Sequence, residues 1–293
     1  MTGSFAMTSW LKGGHVPLIA GILVGAFVIG GCEKNPYTGR SQLLMTSVAE
    51  EMQMGSQAYD QVKNDPKMKA SQDPREIEPV KRVAARIVDA AKRSKYAEMA
   101  KQFQWEVTVI KDDKTANAFA LPGGKMAVYT GIFPMAKTEA GLAAVMGHEV
   151  VHALARHGAE RMSQGQLTNM GLQVLGTAAG MGTGSQELGQ LTMAALGAGA
   201  QVGVLLPFSR KHESEADYIG ILLAADAGYD PRESVALWER MAQMSGGGAP
   251  AEFMSTHPSN ETRIEQLKKW MPEAMSIYQA KPAVPAATLP VLK

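Results

Sequence analysis

Cysteine is almost missing from this chain. Cys32 is the single one in 293 residues, so no disulfide forms within the protein and its stability rests on packing and polar contacts. Aromatic residues are scarce, at 6%, which leaves aliphatic side chains and methionine to fill the core. Charge is nearly balanced: 29 basic against 28 acidic residues give a formal net charge of +1. That balance excludes the basic excess of a nucleic-acid binder and gives no sign of a strongly acidic partner. The apolar stretch from Val16 to Ile29 falls short of the about 20 residues needed to cross a bilayer.

What the chain has is apolar bulk and small residues. Hydrophobic residues make up 45%, with 19 methionines and 30 glycines. That content supports one core of about 250 residues and favours closely packed helices with adaptable apolar surfaces. Helical periodicity runs from Val48 to Val62 and strongly through Val80, Val83, Ala84, Ile87, Val88 and Ala91. Trp105–Ile110 alternates as a strand. Asn117 to Leu121 reads as an extended segment ending at the Pro122-Gly123-Gly124 turn, with Met126–Tyr129 as a second short strand. Shorter helices are expected at about Arg232–Met244 and Glu261–Trp270. The expected architecture is α+β and mainly helical, with one domain over residues 47–280 after an extended lead-in at 32–46. The tail, 281–293, carries three prolines and little to bury, so it is expected to be disordered.

The chemistry concentrates at two places. His148-Glu149-Val150-Val151-His152 sets two imidazoles four residues apart. On an α-helix that spacing stacks both rings on one face, close enough to share a metal ion. The helix itself is expected: Thr138 can cap it, Glu139 sits in its first turn, and Leu142, Val145, Met146, Val150 and Leu154 give it an apolar stripe. Glu149 projects near the metal's open side, where a general base takes a proton from the attacking water.

A catalytic zinc takes three protein ligands. No further His or Cys lies close downstream in a ligand-like arrangement, and Glu213-Ser214-Glu215-Ala216-Asp217 is the better source. On a helix Glu213 and Asp217 share a face, while Glu215 points elsewhere. One of the two can bind metal while the other, one turn on, holds a ligand imidazole by its second nitrogen. His212 reads as a surface residue, and Arg156-His157 as structural or supporting residues rather than ligands.

At five places the chain resembles the gluzincin metallopeptidases, the family of the CAAX prenyl protease, HtpX, the mitochondrial Oma-type protease and BepA. These are Asn35-Pro36-Tyr37-Thr38-Gly39-Arg40, Asn117 to Gly124, the His148 motif with Arg156-His157, Glu213 to Asp217, and Thr256-His257-Pro258 with Arg263. The resemblance implies a gluzincin-type domain with a small edge-strand sheet beside the zinc helix. It implies one zinc ion on His148, His152 and Glu213, with Glu149 as base and Asp217 orienting a ligand histidine. It also implies that Asn117, Ala118 and Phe119 pair with the substrate backbone, a mode that demands little of the substrate's sequence. By the same resemblance Arg263 steadies the oxyanion formed when water attacks the amide. His257 lies near the zinc, where it either assists that step or occupies the metal's open position in a latent enzyme.

The start of the chain carries an expected address. Lys12 opens a modest n-region, Val16–Ile29 fits the apolar part of a signal peptide, and Ile29-Gly30-Gly31 precedes Cys32. This resembles a bacterial lipobox, with residues 1–31 removed and Cys32 lipidated. Glu33, rather than Asp, then allows passage to the outer membrane. The expected location is its periplasmic face, with inner-membrane anchoring as the alternative. The expected function is a lipid-anchored zinc metalloendopeptidase acting on misfolded or unassembled envelope proteins. The alternative is an outer-membrane protein assembly factor with latent or minor cleavage. The stretch from Gln164 to Leu206, in which Glu187 is the only charge, reads as a helical pair beside the cleft or as a mobile lid or docking surface. The helical pair is the favoured reading.

Overall fold

The computed structural model describes residues 32–183, 209–245, 253, 257 and 261–291. Hairpin strands β1 (Cys32–Lys34) and β2 (Ser41–Leu43) come first, then helices α1 (Val48–Asn64), α2 (Pro74–Ala91) and α3 (Ala97–Gln102). Strands β3 (Glu106–Ile110), β4 (Ala118–Leu121) and β5 (Lys125–Tyr129) follow, and then the short helix α4 (Phe133–Ala136) and α5 (Glu139–Leu154). Helices α6 (His157–Thr183), α7 (Arg210–Asp226), α8 (Arg232–Ser245) and α9 (Glu261–Gln279) complete the described elements. The domain is α+β and mainly helical, as expected. Among the described residues no helix is long and apolar enough to cross a membrane.

Local chemistry accounts for the main helix starts. Thr138 caps α5, its hydroxyl accepting from the Gly141 amide at 3.0 Å, which satisfies one of the donors left open at a helix start. Ser47 and Glu50 form a reciprocal capping box on α1, and Asp73 caps α2 ahead of Pro74 in the first turn. From Gly141 to Leu154 every residue of α5 is buried, which makes it a central helix rather than an amphipathic surface one. It contacts α2, α7, α8 and the strand β4. The α2 stripe read from the sequence, Val80 to Ala91, is buried in that core.

The sheet order is β3-β5-β4, with β3 parallel to β5 and β4 antiparallel to it. Gly123 and Gly124 make the β4–β5 turn in the left-handed region, at φ 83° and 88°, where a side chain is disfavoured. Among the described residues β4 pairs on one side only. Its other edge pairs with no described strand, in the place expected for Asn117 to Phe119.

Three expectations need correction. The lead-in at 32–46 is a hairpin rather than extended chain, with Cys32 opposite Leu43 and Glu33 opposite Gln42. The tail is ordered by its backbone: Val284 N donates to Gly228 O, Glu139 N to Ala287 O and Leu289 N to Lys137 O, and Leu289 is buried. Main-chain pairing of this kind needs no apolar pattern, so composition could not reveal it. Helix α9 continues past Pro272 to Gln279, because Ala274 is buried and Ile277 and Tyr278 pack on the core beyond the lost donor. The described part of the Gly- and Met-rich stretch, residues 164–183, is helical within α6. Residues 184–208 lie outside the described residues, as does the leader at 1–31.

Helices α5 and α7 cross closely, with a glycine on each side. A Cβ on Gly220 would lie 2.9 Å from the His148 amide nitrogen, and one on Gly147 would lie 2.9 Å from Gly220 O. Replacing Gly220 by alanine forces these backbones apart. Gly220→Ala is expected to destabilise the protein by about 1–3 kcal/mol, read as a lower midpoint in urea unfolding. An unchanged midpoint would show that the crossing can relax.

Candidate metal centre and active site

Helix α5 sets His148 and His152 one turn apart, and α7 brings Glu213 against them across the glycine crossing. With His257 they form a cluster whose four donor atoms lie within 4.8 Å of one another, all on buried residues. His148 Nε2 is 3.1 Å from His152 Nε2 and 3.2 Å from His257 Nδ1. Glu213 places Oε2 3.4 Å from His148 Nε2, and Oε1 3.5 Å from His152 Nε2 and 3.1 Å from His257 Nδ1. A tetrahedral zinc with bonds of about 2.0–2.1 Å separates its donors by about 3.3–3.4 Å. The residues fit the ion.

Electrostatics say the same. Glu149, Glu213 and Asp217 are opposed by one guanidinium, Arg263, and all four groups are buried. Burial alone would lower His148, yet Asp217 and Glu213 push it up to about 9, the mark of a pocket that favours a cation. Burial alone would raise Glu213, but hydrogen bonds from His148 and His257 hold it well below the usual carboxylate range. Burial, with the imidazoles of His148, His157 and His257 close by, keeps His152 neutral, the form that binds metal.

The supporting residues are partly those expected. His148 Nδ1 meets Asp217 Oδ1 at 3.0 Å, so the other nitrogen faces the cluster with its lone pair. Arg263 donates to Asp217 from Nε and Nη2, both at 2.6 Å, reaches Glu213 Oε2 from Nη1 at 2.8 Å, and lies over the Trp238 ring. Its fork is thus engaged with the two carboxylates, and here Arg263 acts as their holder; a role toward an oxyanion would need one of these N–H groups freed.

Glu149 sits beside the cluster with Oε1 3.4 Å from His257 Nε2. Burial is the main force pushing its carboxyl up, although His257 and His148 oppose it, and the Ala120 amide of β4 is among the groups acting on it. Ala118, Phe119 and Glu149 line one small gap between β4 and α5. Asn117 turns its side-chain oxygen to the Ala118 amide at 2.9 Å, and Phe119 packs on Tyr129. Cys32 lies apart from this centre, in the N-terminal hairpin.

Other residues went unrecognised in the sequence. His212, read as a surface residue, is 2% exposed and meets Glu160 at 3.0 Å. Glu215 does point away from the cluster, but into a partly buried network with Thr38, Arg40 and His157. For His157 the reason is a break in the helix. Helix α5 stops, Arg156 takes a positive φ of 55°, and α6 starts at His157. On a continuous helix a residue five places after His152 would lie well round from it; after the break the two rings meet at 3.1 Å. The lone signal was the pair Arg156-His157 directly beyond the motif.

Comparison with known proteins agrees with this geometry. The model of peptidase family M48 matches residues 74–271. This chain belongs to peptidase family M48. It is 38% identical over 263 residues to the mitochondrial metalloendopeptidase OMA1 of Schizosaccharomyces pombe, covering 86% of this chain and 72% of that protein. The human metalloendopeptidase OMA1 is 31% identical over 266 residues, covering 88% of this chain and 49% of that protein. The beta-barrel assembly-enhancing protease of Escherichia coli is 29% identical over 238 residues, covering 80% and 46%. Family and geometry together make the protein a zinc metalloendopeptidase.

The expected address is corrected by the same relatives. Proteins alike over 86% and 88% of this chain are mitochondrial, which conflicts with a bacterial outer-membrane, periplasmic location. That address rested on a short apolar run and two glycines before Cys32, too few residues to outweigh similarity across a whole domain.

Asp217→Asn is expected to weaken zinc binding about 10–100-fold, measured by competition with a chromogenic chelator, with the fold retained. An unchanged affinity would mean that His148 does not depend on this partner.

Proposed function

We propose that this metalloendopeptidase cuts misfolded or unassembled proteins, held as extended chain along the edge of β4 that pairs with no described strand. The observation that carries the reading is the convergence of that edge, Glu149 and the donor cluster at one place. Main-chain pairing selects for extended, unfolded segments rather than for a sequence. Attachment to a membrane surface through a lipid on Cys32 belongs to the same proposal and is tied to no compartment.

His148, His152 and Glu213 would hold a zinc ion, which when bound would supply Lewis acidity toward water and the scissile carbonyl. Glu149 takes the proton of the attacking water and later delivers it to the leaving amine. Its burial suits that double duty, because a carboxyl pushed up from its usual range both accepts and returns a proton more readily near neutral pH. Asp217, braced by Arg263, keeps His148 aimed at the metal.

His257 favours a latent form of this enzyme. Its Nδ1 stands within the donor set, and four protein donors around one zinc leave no position for water. The same observation supports a second reading, a factor that assists assembly of other proteins with cleavage latent or minor.

The deciding assay is casein cleavage by the purified protein, with zinc content measured alongside. Glu149→Gln should keep one zinc per chain and lose cleavage by about 100-fold or more; cleavage retained at wild-type rate would remove Glu149 as the base. His257→Ala should raise cleavage if the histidine keeps the enzyme latent. A fall instead would give it a part in the reaction, and stoichiometric zinc without cleavage in any form would favour the assembly factor.

A further inference from the structure

The turn Asn35-Pro36-Tyr37-Thr38-Gly39-Arg40 has no part in the chemistry above, yet it forms part of the wall behind the metal centre. Asn35 Oδ1 accepts from Tyr37 N at 2.9 Å and Thr38 N at 3.2 Å, and Asn35 N donates to Arg40 O at 2.9 Å. Gly39 closes the turn at φ 69°. The result is a fixed Arg40. Its Nε and Nη2 donate to the two oxygens of Glu215 at 3.0 and 2.8 Å, and its Nη1 to Glu160 at 2.6 Å. The Thr38 hydroxyl also donates to Glu215.

Glu215 in turn meets His157. Oε2 lies 3.1 Å from His157 Nε2, and His157 Nδ1 lies 3.1 Å from Nδ1 of His152. His157 is fully buried. One assignment of protons satisfies the chain. His152 uses the lone pair of Nε2 toward the cluster, so its Nδ1 carries the proton and donates to His157. His157 Nδ1 accepts, which puts its own proton on Nε2, and that proton is donated to the Glu215 carboxylate.

The other ligand imidazole offers a parallel. His148 ends on Asp217, which is held by Arg263. His152 ends on Glu215, which is held by Arg40, with one imidazole interposed. Both carboxylates come from α7, two residues apart.

We propose that His157 is the positioning residue for His152, acting through Glu215 and Arg40, so that the N-terminal turn belongs to the metal site. The hairpin is docked for this purpose at further points: Gln42 Nε2 donates to Ala155 O at 2.7 Å, and Arg156 pairs with Glu33 at 2.7 Å. The inference rests on His152 being a metal ligand, which His152→Ala tests separately.

The test measures zinc affinity by chelator competition and the visible absorption of the cobalt-substituted protein, in full-length variants checked by thermal unfolding. His157→Leu should weaken zinc about 10–100-fold and shift the cobalt bands. His157→Gln should recover part of both, because an amide can accept from His152 and donate to Glu215. Arg40→Ala should also weaken zinc, and combined with His157→Leu should add little, as members of one chain do. Glu215→Gln keeps the shape if the leucine variant fails to fold, and should show the same loss. A folded His157→Leu or Glu215→Gln protein with wild-type affinity and cobalt bands overturns the proposal, as do fully additive losses. Zinc retained in His152→Ala would overturn the ligand assignment instead.

Discussion

The crossing of α5 and α7 at Gly147 and Gly220 governs the rest of the molecule. Helices ordinarily pack with axes about 8–10 Å apart, set by the side chains between them. Here glycine stands on both sides, and the backbones meet with no room for a Cβ. A glutamate and an aspartate on one helix can then reach imidazoles on the other without stretching. Donor separations of 3.1–3.5 Å follow from that approach. Because both partners are helices rather than loops, the distances are held by packing on every side, which is how a site keeps its geometry to a fraction of an ångström.

So close an approach also buries charge, and the surroundings answer that cost in layers. Around the imidazoles stand Asp217 and Glu215; behind these stand Arg263 and Arg40. Removing one member of a buried pair costs roughly 3–5 kcal/mol, because the partner is left uncompensated. The pairs therefore fix arrangement more than they add net stability. Each arginine comes from a part of the chain remote from the helices it serves, Arg40 from the N-terminal turn and Arg263 from α9. The metal centre thus depends on the two ends of the domain being docked, which gives the hairpin and α9 a chemical role beyond covering the core.

What the sequence made legible was whatever repeats with a helix or strand period. The α2 stripe, the capped zinc helix and the strands around Pro122-Gly123-Gly124 all announce themselves locally. Glu213 and Asp217 were legible as a pair, and the structure divides them: Glu213 meets the donor cluster, while Asp217 meets the far nitrogen of His148. His157 was legible as a supporting residue but its partners were not, because its position depends on one residue of positive φ, Arg156, and no periodic pattern anticipates such a break. His212 and Glu215 escaped because polar residues are read as exposed unless their partners are known, and those partners, Glu160 and Arg40, are distant in sequence. The tail's order comes from main-chain hydrogen bonds, which composition does not encode. The address failed for the opposite reason, since too much was drawn from a handful of residues around Cys32.

Two hydrogen bonds and a ring stack join His257 to the segment ahead of β4. His257 N donates to Phe253 O at 2.9 Å, and the Phe253 ring stacks on the His257 imidazole with centroids 4.6 Å apart. Phe253 N in turn donates to Ala116 O at 3.1 Å. Ala116 immediately precedes the Asn117 segment, which leads into strand β4. His257, whose Nδ1 stands within the donor set, is therefore linked through Phe253 to the segment that leads into β4.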